Sequence, residues 1–221
     1  MIEYKENKEI IAKRIARIFR SGEVVNLGIG LPTLVANHVP ADVAIVLQSE
    51  NGLIGLGPAP APGNEDKDLT NAGAAPVTIL PGGAFFDSAM SFAIIRGGHV
   101  DYTVLGVLEV DQEGNLANYK IPGKMVPGMG GAMDLTTGSR IVIAATTHLE
   151  KNGSSKLKRR CSLPLTAAHE VNFVVTDVGF FEVSGGRFHL REYFAPYTVE
   201  WILEHTDADI VVDENCKEIT L

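Results

Sequence analysis

One carboxylate in this chain directly follows an apolar stretch and has no basic residue near it in sequence. The segment VAIVLQSENGLIGLG, residues 43–57, runs from five apolar residues into QSEN, and Glu50 is its only charged residue. In an α/β sheet, ligands bind where strands end, so Glu50 is a candidate catalytic residue. Position alone leaves a second interpretation open, in which Glu50 is a solvated turn residue or caps the backbone together with Ser49 and Asn51.

A carboxylate in such a position can act as a covalent nucleophile toward a thioester. The attack would give a mixed anhydride, an acylating agent comparable in energy to the thioester itself. This chemistry requires no ATP, metal ion or redox cofactor. It does require that water is excluded, because the anhydride and any enzyme thioester would hydrolyse. The apolar sequence around Glu50 suits that requirement.

Glycines in two parts of the sequence could support the same chemistry. Glycine lets the backbone approach a ligand closely, and its N–H group can hold a developing oxyanion. The glycines concerned follow Glu50 or lie in the glycine-dense segment 121–131, and they are Gly52, Gly55, Gly57, Gly128, Gly130 and Gly131. A separate turn, Gly28-x-Gly30, lacks the third glycine of a dinucleotide-binding fingerprint, so that turn alone indicates little.

Composition and missing motifs exclude several classes of protein. The 221 residues carry a net charge of −8, which argues against a nucleic-acid partner. The sequence has no P-loop, no GxSxG elbow and no metal-ligand spacing of His and Cys. Charges interrupt the N-terminal segment, and no uncharged apolar run is long enough for a membrane span, so we expect neither a signal peptide nor a membrane partner. Two distant cysteines, Cys161 and Cys216, fit a reducing cytoplasm.

The elements that must position Glu50 can be predicted from apolar blocks and turn residues. Helices are expected at about 11–19, 32–38, 87–96 and 198–205. Strands are expected at 24–27, 43–47, 77–80, 102–110, 140–145, 171–176, 179–183, 187–193 and 209–212. Apolar strands that alternate with helices predict an α/β fold with a largely parallel mixed sheet flanked by helices. No repeat or linker divides the chain, so we expect one domain, residues 1–221.

The segment LQSENGLIGLGP, residues 47–58, resembles the catalytic SENG segment of the family I coenzyme A transferases. Four further stretches resemble the same family in the same order: VNLGIGLPTLVA, FDSAMSFAIIRGGHVD, GNLANYKIPGKMVPGMGGAMDL and CSLPLT. The resemblance covers nearly the whole chain. It is to the β subunit, or C-terminal half, of 3-oxoacid and acetate/acetoacetate CoA-transferases, and it implies their fold.

The resemblance implies a ping-pong reaction at Glu50. The glutamate would attack an acyl-CoA to give an acyl-glutamyl anhydride and CoA thiolate, and the returning thiolate would give a glutamyl-CoA thioester. An acceptor acid would then replace the departing carboxylate, and the second half would run in reverse. Besides the nucleophile, the implied oxyanion and substrate-binding residues are Gly131, Gly130, Gly30, Gly28 and Asn51.

A missing segment implies a missing partner. The family's glycine-rich CoA-binding segment belongs to the α subunit, and nothing like it is present here. The resemblance therefore implies half of an enzyme, paired with an α chain as α2β2, with coenzyme A as a substrate and no cofactor. The expected substrates are succinyl-, acetyl- or butyryl-CoA and an acid such as acetoacetate. However, GPAPAPGNEDKDL resembles the 3-oxoadipate transferases, whereas IPGKMVPGMGGAMDL resembles the acetoacetate type.

Two other functions stay open at this stage. An acyl-CoA hydrolase could use the same glutamate, with water as the acyl acceptor. A non-catalytic ligand-binding protein could keep the fold without the reaction. The intact SENG segment and glycine-dense segment argue against the second alternative, because a binding protein has little use for a desolvated carboxylate.

Overall fold

A ten-stranded mixed sheet forms the centre of the computed structural model, which describes residues 4–124, 126 and 128–220. Met125 and Pro127, within the predicted glycine-dense segment, therefore lie outside the described residues. The strands are β1 Val24–Leu27, β2 Val46–Ser49, β3 Leu53–Leu56, β4 Ile79–Phe85, β5 Val100–Gly106, β6 Glu109–Asp111, β7 Leu116–Ala117, β8 Ser139–Ala145, β9 Leu157–Lys158, β10 Phe173–Val175, β11 Gly179–Ser184, β12 Arg187–Phe194 and β13 Ile210–Ile219. The helices are α1 Tyr4–Ala16, α2 Ser88–Arg96, α3 Ala132–Gly138 and α4 Val199–Glu204, with a 3₁₀ helix at Leu31–His38.

Five neighbouring strands at the centre of the large sheet run parallel. The strand order is β13-β12-β11-β10-β8-β5-β1-β2-β3-β4, and the run from β10 to β2 is parallel throughout. Strands β3, β4 and β11 pair antiparallel with their neighbours, and β7, β6 and β9 form a second, three-stranded sheet. The carboxyl ends of the five parallel strands therefore share one edge. The predicted α/β fold with a largely parallel mixed sheet is confirmed.

The sheet is covered on both faces, which explains why its strands read as apolar blocks. Alternate residues of a strand point to opposite faces, and along β8 Val142 and Ile143 join two different buried clusters. Helix α1 packs on one face through Ile11 and Ile15, which are completely buried. Helices α2, α3 and α4 pack on the other face. Burial of each large aliphatic side chain stabilises the fold by roughly 1.5–3 kcal/mol.

Several predicted elements match the structure closely. Strand β1 has the predicted bounds, and α2 begins after Asp87, whose carboxylate accepts the Met90 N–H at 2.8 Å. Thr198 caps α4 in the same way, since its hydroxyl accepts the Trp201 N–H. These elements were predictable because their end signals are local, as is usual for capping residues.

Other elements differ where pairing between distant segments decides the structure. Strand β2 begins at Val46 and not at Val43. It pairs with β1, and β1 begins at Val24, which lies opposite Val46. The strand predicted at 77–80 extends to Phe85 through Pro81, which an edge strand tolerates. The strand predicted at 102–110 is divided into β5 and β6, which belong to different sheets.

One buried histidine gives the fold a predictable response to acid. His148 is 1% exposed, its Nε2 lies 2.9 Å from the Thr206 hydroxyl, and its ring packs against Phe181 and Trp201. Burial lowers the pKa of His148 to about 3 from the ordinary 6.5. The side chain is therefore neutral in the folded protein at neutral pH.

We expect His148 to make the fold sensitive to acid below its ordinary pKa. Between pH 6.5 and about 3 the unfolded histidine binds a proton that the folded one does not. The free energy of unfolding therefore falls as the pH falls, by up to about 1.4 kcal/mol per pH unit. Urea unfolding from about pH 7 to about pH 4 should show this slope in the wild type and in His99→Gln, an exposed control. In His148→Gln the dependence of the unfolding free energy on pH should be much weaker. An equal slope in all three proteins would contradict the attribution of this dependence to His148.

Candidate active site

Glu50 lies in the turn of a tight hairpin at the carboxyl edge of the parallel strands. It is the first residue after β2, and β2 pairs antiparallel with β3 through Ser49 and Leu53. Gly52 completes the turn with a φ of 117°, a conformation that favours glycine. A methyl group on Gly52 would overlap the carbonyl oxygen of Phe86, whose N–H donates to the Gly52 carbonyl at 2.9 Å. The turn that carries Glu50 is thus held against the backbone that leads into α2.

Asn26 of β1 contacts the Glu50 carboxylate from the neighbouring strand. Its Nδ2 lies 3.3 Å from Glu50 Oε2 and 2.7 Å from the Gln48 side-chain oxygen. Gln48 in turn donates from Nε2 to the hydroxyl of Ser91 on α2, at 3.0 Å. Asn26, Gln48 and Ser91 are all buried. These three side chains form a chain of hydrogen bonds, which we call the amide relay, and the relay holds one oxygen of Glu50.

The sequence interpretation did not identify the amide relay. Asn26 stands in the apolar strand VVNL and Gln48 in the strand VLQS. A polar side chain within a buried strand was the available signal, because buried amides require hydrogen-bond partners. The Oδ1 atom of Asn26 is buried and has no hydrogen-bond partner among the described residues.

Gly131, the predicted oxyanion residue, lies directly beside Glu50. A methyl group on Gly131 would lie 3.3 Å from Glu50 Cγ and 3.3 Å from the Phe92 ring. A side chain at Gly131 would therefore be crowded against both neighbours, which glycine avoids. Gly130 precedes it with a φ of 53° and with open space around its α-carbon. The structure thus brings together Glu50 and the glycine-dense segment, which are about eighty residues apart in the sequence.

The other predicted site glycines, Gly28 and Gly30, make backbone contacts in the structure. The Gly28 N–H donates to the Val104 carbonyl at 2.8 Å, where a side chain would crowd β5. The Gly30 carbonyl accepts from the Thr33 N–H and hydroxyl at the start of the 3₁₀ helix. These contacts explain both glycines locally. Their predicted contribution to substrate binding stays a prediction.

Asn51 and Ser49 flank Glu50 but hydrogen-bond away from it. The Asn51 side chain donates to the Thr70 carbonyl at 2.8 Å, and the Ser49 hydroxyl accepts from the Ala72 N–H at 3.0 Å. Both side chains therefore fasten the turn to the loop at 57–78, in agreement with the backbone-capping interpretation. An orienting role for Asn51 stays a prediction.

The described part of the chain offers few alternatives to the carboxylate as a reactive group. Burial and the carboxylates of Asp111 and Glu109 raise the pKa of the Cys161 thiol, so it stays protonated and weakly nucleophilic. No group of His, Cys, Asp or Glu within 4–124, 126 and 128–220 is arranged to hold a metal ion.

The helices in these same ranges are all too short or too polar to cross a membrane.

Known proteins resemble this chain over nearly its full length. The β subunit of acetate CoA-transferase from Haemophilus influenzae is 54% identical over 214 residues, which cover 97% of this chain and 96% of that protein. The B subunit of succinyl-CoA:3-ketoacid coenzyme A transferase from Helicobacter pylori is 49% identical over 205 residues, covering 93% and 99%.

A solved structure has the same fold at lower sequence identity. The acyl-CoA transferase from Escherichia coli O157:H7 matches with a TM-score of 0.77 and 23% identity, over 97% of this chain and 43% of that chain. This chain therefore corresponds to less than half of that longer polypeptide. The model of the coenzyme A transferase family itself matches residues 8–205. The family model matches most of the chain, and two relatives are about half identical to it over nearly their full length. These findings confirm the resemblance found in the sequence, and the chain belongs to the coenzyme A transferase family.

Proposed function

We propose that this chain is the β subunit of a CoA-transferase and that Glu50 is its covalent nucleophile. The observation that carries the proposal is that the Glu50 side chain hydrogen-bonds to the amide relay and also lies directly beside Gly131. A group that served only as a turn residue would need neither contact. The nucleophile and an oxyanion donor must lie within a few ångströms of one reacting carbon, and these two groups are adjacent.

In the proposed reaction the free carboxylate oxygen attacks the thioester. Since Asn26 holds Oε2, we assign the attack to Oε1 of Glu50. A bond forms between Oε1 and the acyl carbon, the carbon–sulfur bond breaks, and CoA leaves as the thiolate with that electron pair. The thiolate then attacks the glutamyl carbonyl, the bond from that carbon to the bridging oxygen breaks, the donor acid leaves as a carboxylate with that electron pair, and a glutamyl-CoA thioester remains. An acceptor carboxylate reverses both steps, and the N–H group of Gly131 holds the oxyanion in each.

The substrates we propose are short acyl-CoA esters and a 3-oxoacid. The donor is succinyl-, acetyl- or butyryl-CoA and the acceptor is an acid such as acetoacetate. The names of the two relatives, which refer to acetate and to a 3-ketoacid, support this class. Coenzyme A is a substrate, and no further cofactor takes part. We also propose that residues 1–221 are one domain and that it works in the cytoplasm, where its free thiols Cys161 and Cys216 would stay reduced.

We further propose that an α subunit covers the edge of the sheet around Glu50, in an α2β2 assembly. The names of both relatives describe one subunit of a larger enzyme. Large apolar side chains are exposed on segments next to the Glu50 turn, with Ile29 at 69%, Phe85 at 62% and Met90 at 54%. Grouped exposed apolar residues are typical of protein interfaces. A covering partner would also exclude water from the anhydride.

Covalent trapping tests the nucleophile directly. The purified pair of this chain and its α subunit, incubated with acyl-CoA, should carry CoA as a thioester on Glu50. Borohydride should then inactivate only the enzyme that has been exposed to acyl-CoA, because only the thioester is reducible. Peptide mapping locates the adduct. A label on Cys161, or no label, would refute the proposed reaction.

Substitution of Glu50 should remove turnover and leave the fold intact. Glu50→Gln is nearly isosteric and retains an acceptor for Asn26, but it cannot attack a thioester. In Glu50→Asp the carboxylate is withdrawn by one methylene, and a misplacement of roughly 1 Å can lower the rate about a hundredfold. Steady-state transfer rates and thermal unfolding midpoints should be measured for both variants. Glu204→Gln, exposed at the end of α4, is the matched control and should turn over normally. Near-normal turnover of Glu50→Gln would contradict the assignment.

This chain alone should have no transferase activity. The described residues provide a nucleophile and a backbone donor, whereas the binding energy of the remote CoA nucleotide must drive desolvation at the reacting carbonyl. The experiment mixes acyl-CoA and acetoacetate with this chain, with and without the α subunit. Transfer only in the presence of both chains is expected, and full activity without the second chain would be inconsistent with the two-chain enzyme. Release of free acid at the same rate without any acceptor would indicate a hydrolase.

A further inference from the structure

A cavity opens at the same edge of the sheet as Glu50, outside the carboxyl ends of β5 and β8. Its volume is about 240 Å³. Strand β1 lies between β2, which delivers Glu50, and β5, so the cavity is displaced from the nucleophile by at least two strand positions. Parallel sheets bind ligands in crevices at this edge. The location alone therefore makes the cavity a candidate binding site.

Among the described residues, the cavity is lined by two lysines and by no acidic residue. Lys156 lies on the chain just before β9, and Lys8 belongs to α1. The Lys156 ammonium donates to the hydroxyl of Thr147 at 2.9 Å and to that of Thr146 at 3.1 Å. Both acceptors are neutral, and within the described part of the chain no carboxylate lies within ion-pair distance of this ammonium. The positive charge of Lys156 is solvated by hydroxyls but is not neutralised by contact.

Burial makes this charge costly and attractive to an anion. The side chain of Lys156 is partly buried, and burial lowers its pKa, while the more distant carboxylates of Glu150 and Asp177 act in the opposite direction. A buried ammonium without a partner is unfavourable, and a carboxylate beside it would form a charge-assisted hydrogen bond. The third N–H of the ammonium remains for such a bond, because Thr146 and Thr147 use two.

The remaining walls indicate which anion fits. Besides the lysines and threonines, the apolar residues Leu31, Val107, Leu108 and Ala145 line the cavity. The Asn118 side chain is already committed, with its Nδ2 on the Gly106 carbonyl and its oxygen on Thr166. A phosphate or sulfate ion would leave the apolar walls without a partner. A carboxylate with a short aliphatic chain matches both the charged and the apolar lining.

We propose that this cavity binds a short-chain carboxylate, with Lys156 as the charged anchor and the wall formed by Leu31, Val107 and Leu108 against its aliphatic part. The site is distinct from Glu50. The inference does not depend on the proposed reaction, because it concerns a binding equilibrium of the full chain. The acid substrates proposed above belong to the same chemical class, so such a site would hold an acid at the edge where the reaction occurs.

Calorimetric titration of the full chain with butyrate and with neutral butyramide tests the proposal. Butyrate should bind, and butyramide, phosphate and sulfate should each bind at least tenfold more weakly. Lys156→Met should weaken butyrate binding at least tenfold. Lys151→Met, an exposed lysine five positions earlier in the chain, should not change it. Glu50→Gln should also bind butyrate normally, since the site is separate from the nucleophile.

A measurement on the wild-type chain keeps the test independent of how Lys156→Met folds. Addition of butyrate should shift the backbone amide NMR signals of Val107, Thr146 and Thr147. Shifts confined to the Glu50 turn, or none at all, would overturn the proposal. The proposal would also be overturned if folded Lys156→Met bound butyrate with unchanged affinity, or if the wild-type chain bound phosphate as strongly as butyrate.

Discussion

The geometry of the candidate active site depends on one buried hydrogen bond, between the side chains of Asn26 and Gln48 on adjacent parallel strands. Two amides at this position must pair with each other, because neither has access to water and an unpaired buried amide is costly. The pairing fixes the register at which β1 and β2 meet, and that register decides which residue emerges at the end of β2. A shift of one residue would turn Glu50 toward the opposite face of the sheet.

The amide relay also connects the Glu50 carboxylate with a helix. Ser91 of α2 accepts from Gln48, and Phe92 beside it packs against Gly131. One short segment of α2 therefore contacts both the support of the carboxylate and the glycine that approaches it. Chemistry that depends on distances of a few ångströms requires such rigid support, because small displacements change rates strongly.

Much of the fold could be predicted from the sequence, wherever the signal is local. The cap at Asp87, the glycines after Arg96 and the apolar spacing between them define α2, and Glu50 could be located at a strand end from its neighbours alone. Strand β3 was missed because LIGL is too short to show a period. Helix α3 was missed because it follows glycines and contains two threonines, which are poor helix formers.

The candidate site was only partly predictable for a related reason. Glu50 and the glycine-dense segment could be identified, but Asn26 lies 24 residues before Glu50, and nothing in the sequence links the two. Likewise, Lys8 and Lys156 are far apart in the chain and line one cavity only in the folded protein. Contacts between distant residues depend on strand order and register, which local patterns do not contain.

The close contact of Gly52 with the carbonyl of Phe86 has a consequence for redesign of this protein. Loop grafting usually treats a hairpin turn as a module that can be exchanged without disturbing its scaffold. Here the backbone of the turn at Gly52 packs closely against the backbone at Phe86, which leads into α2. A longer or bulkier turn would therefore displace the helix as well. Variation intended to reshape the surroundings of the carboxylate has more freedom in the long loop at 57–78, which is joined to the turn by hydrogen bonds of the Asn51 and Ser49 side chains.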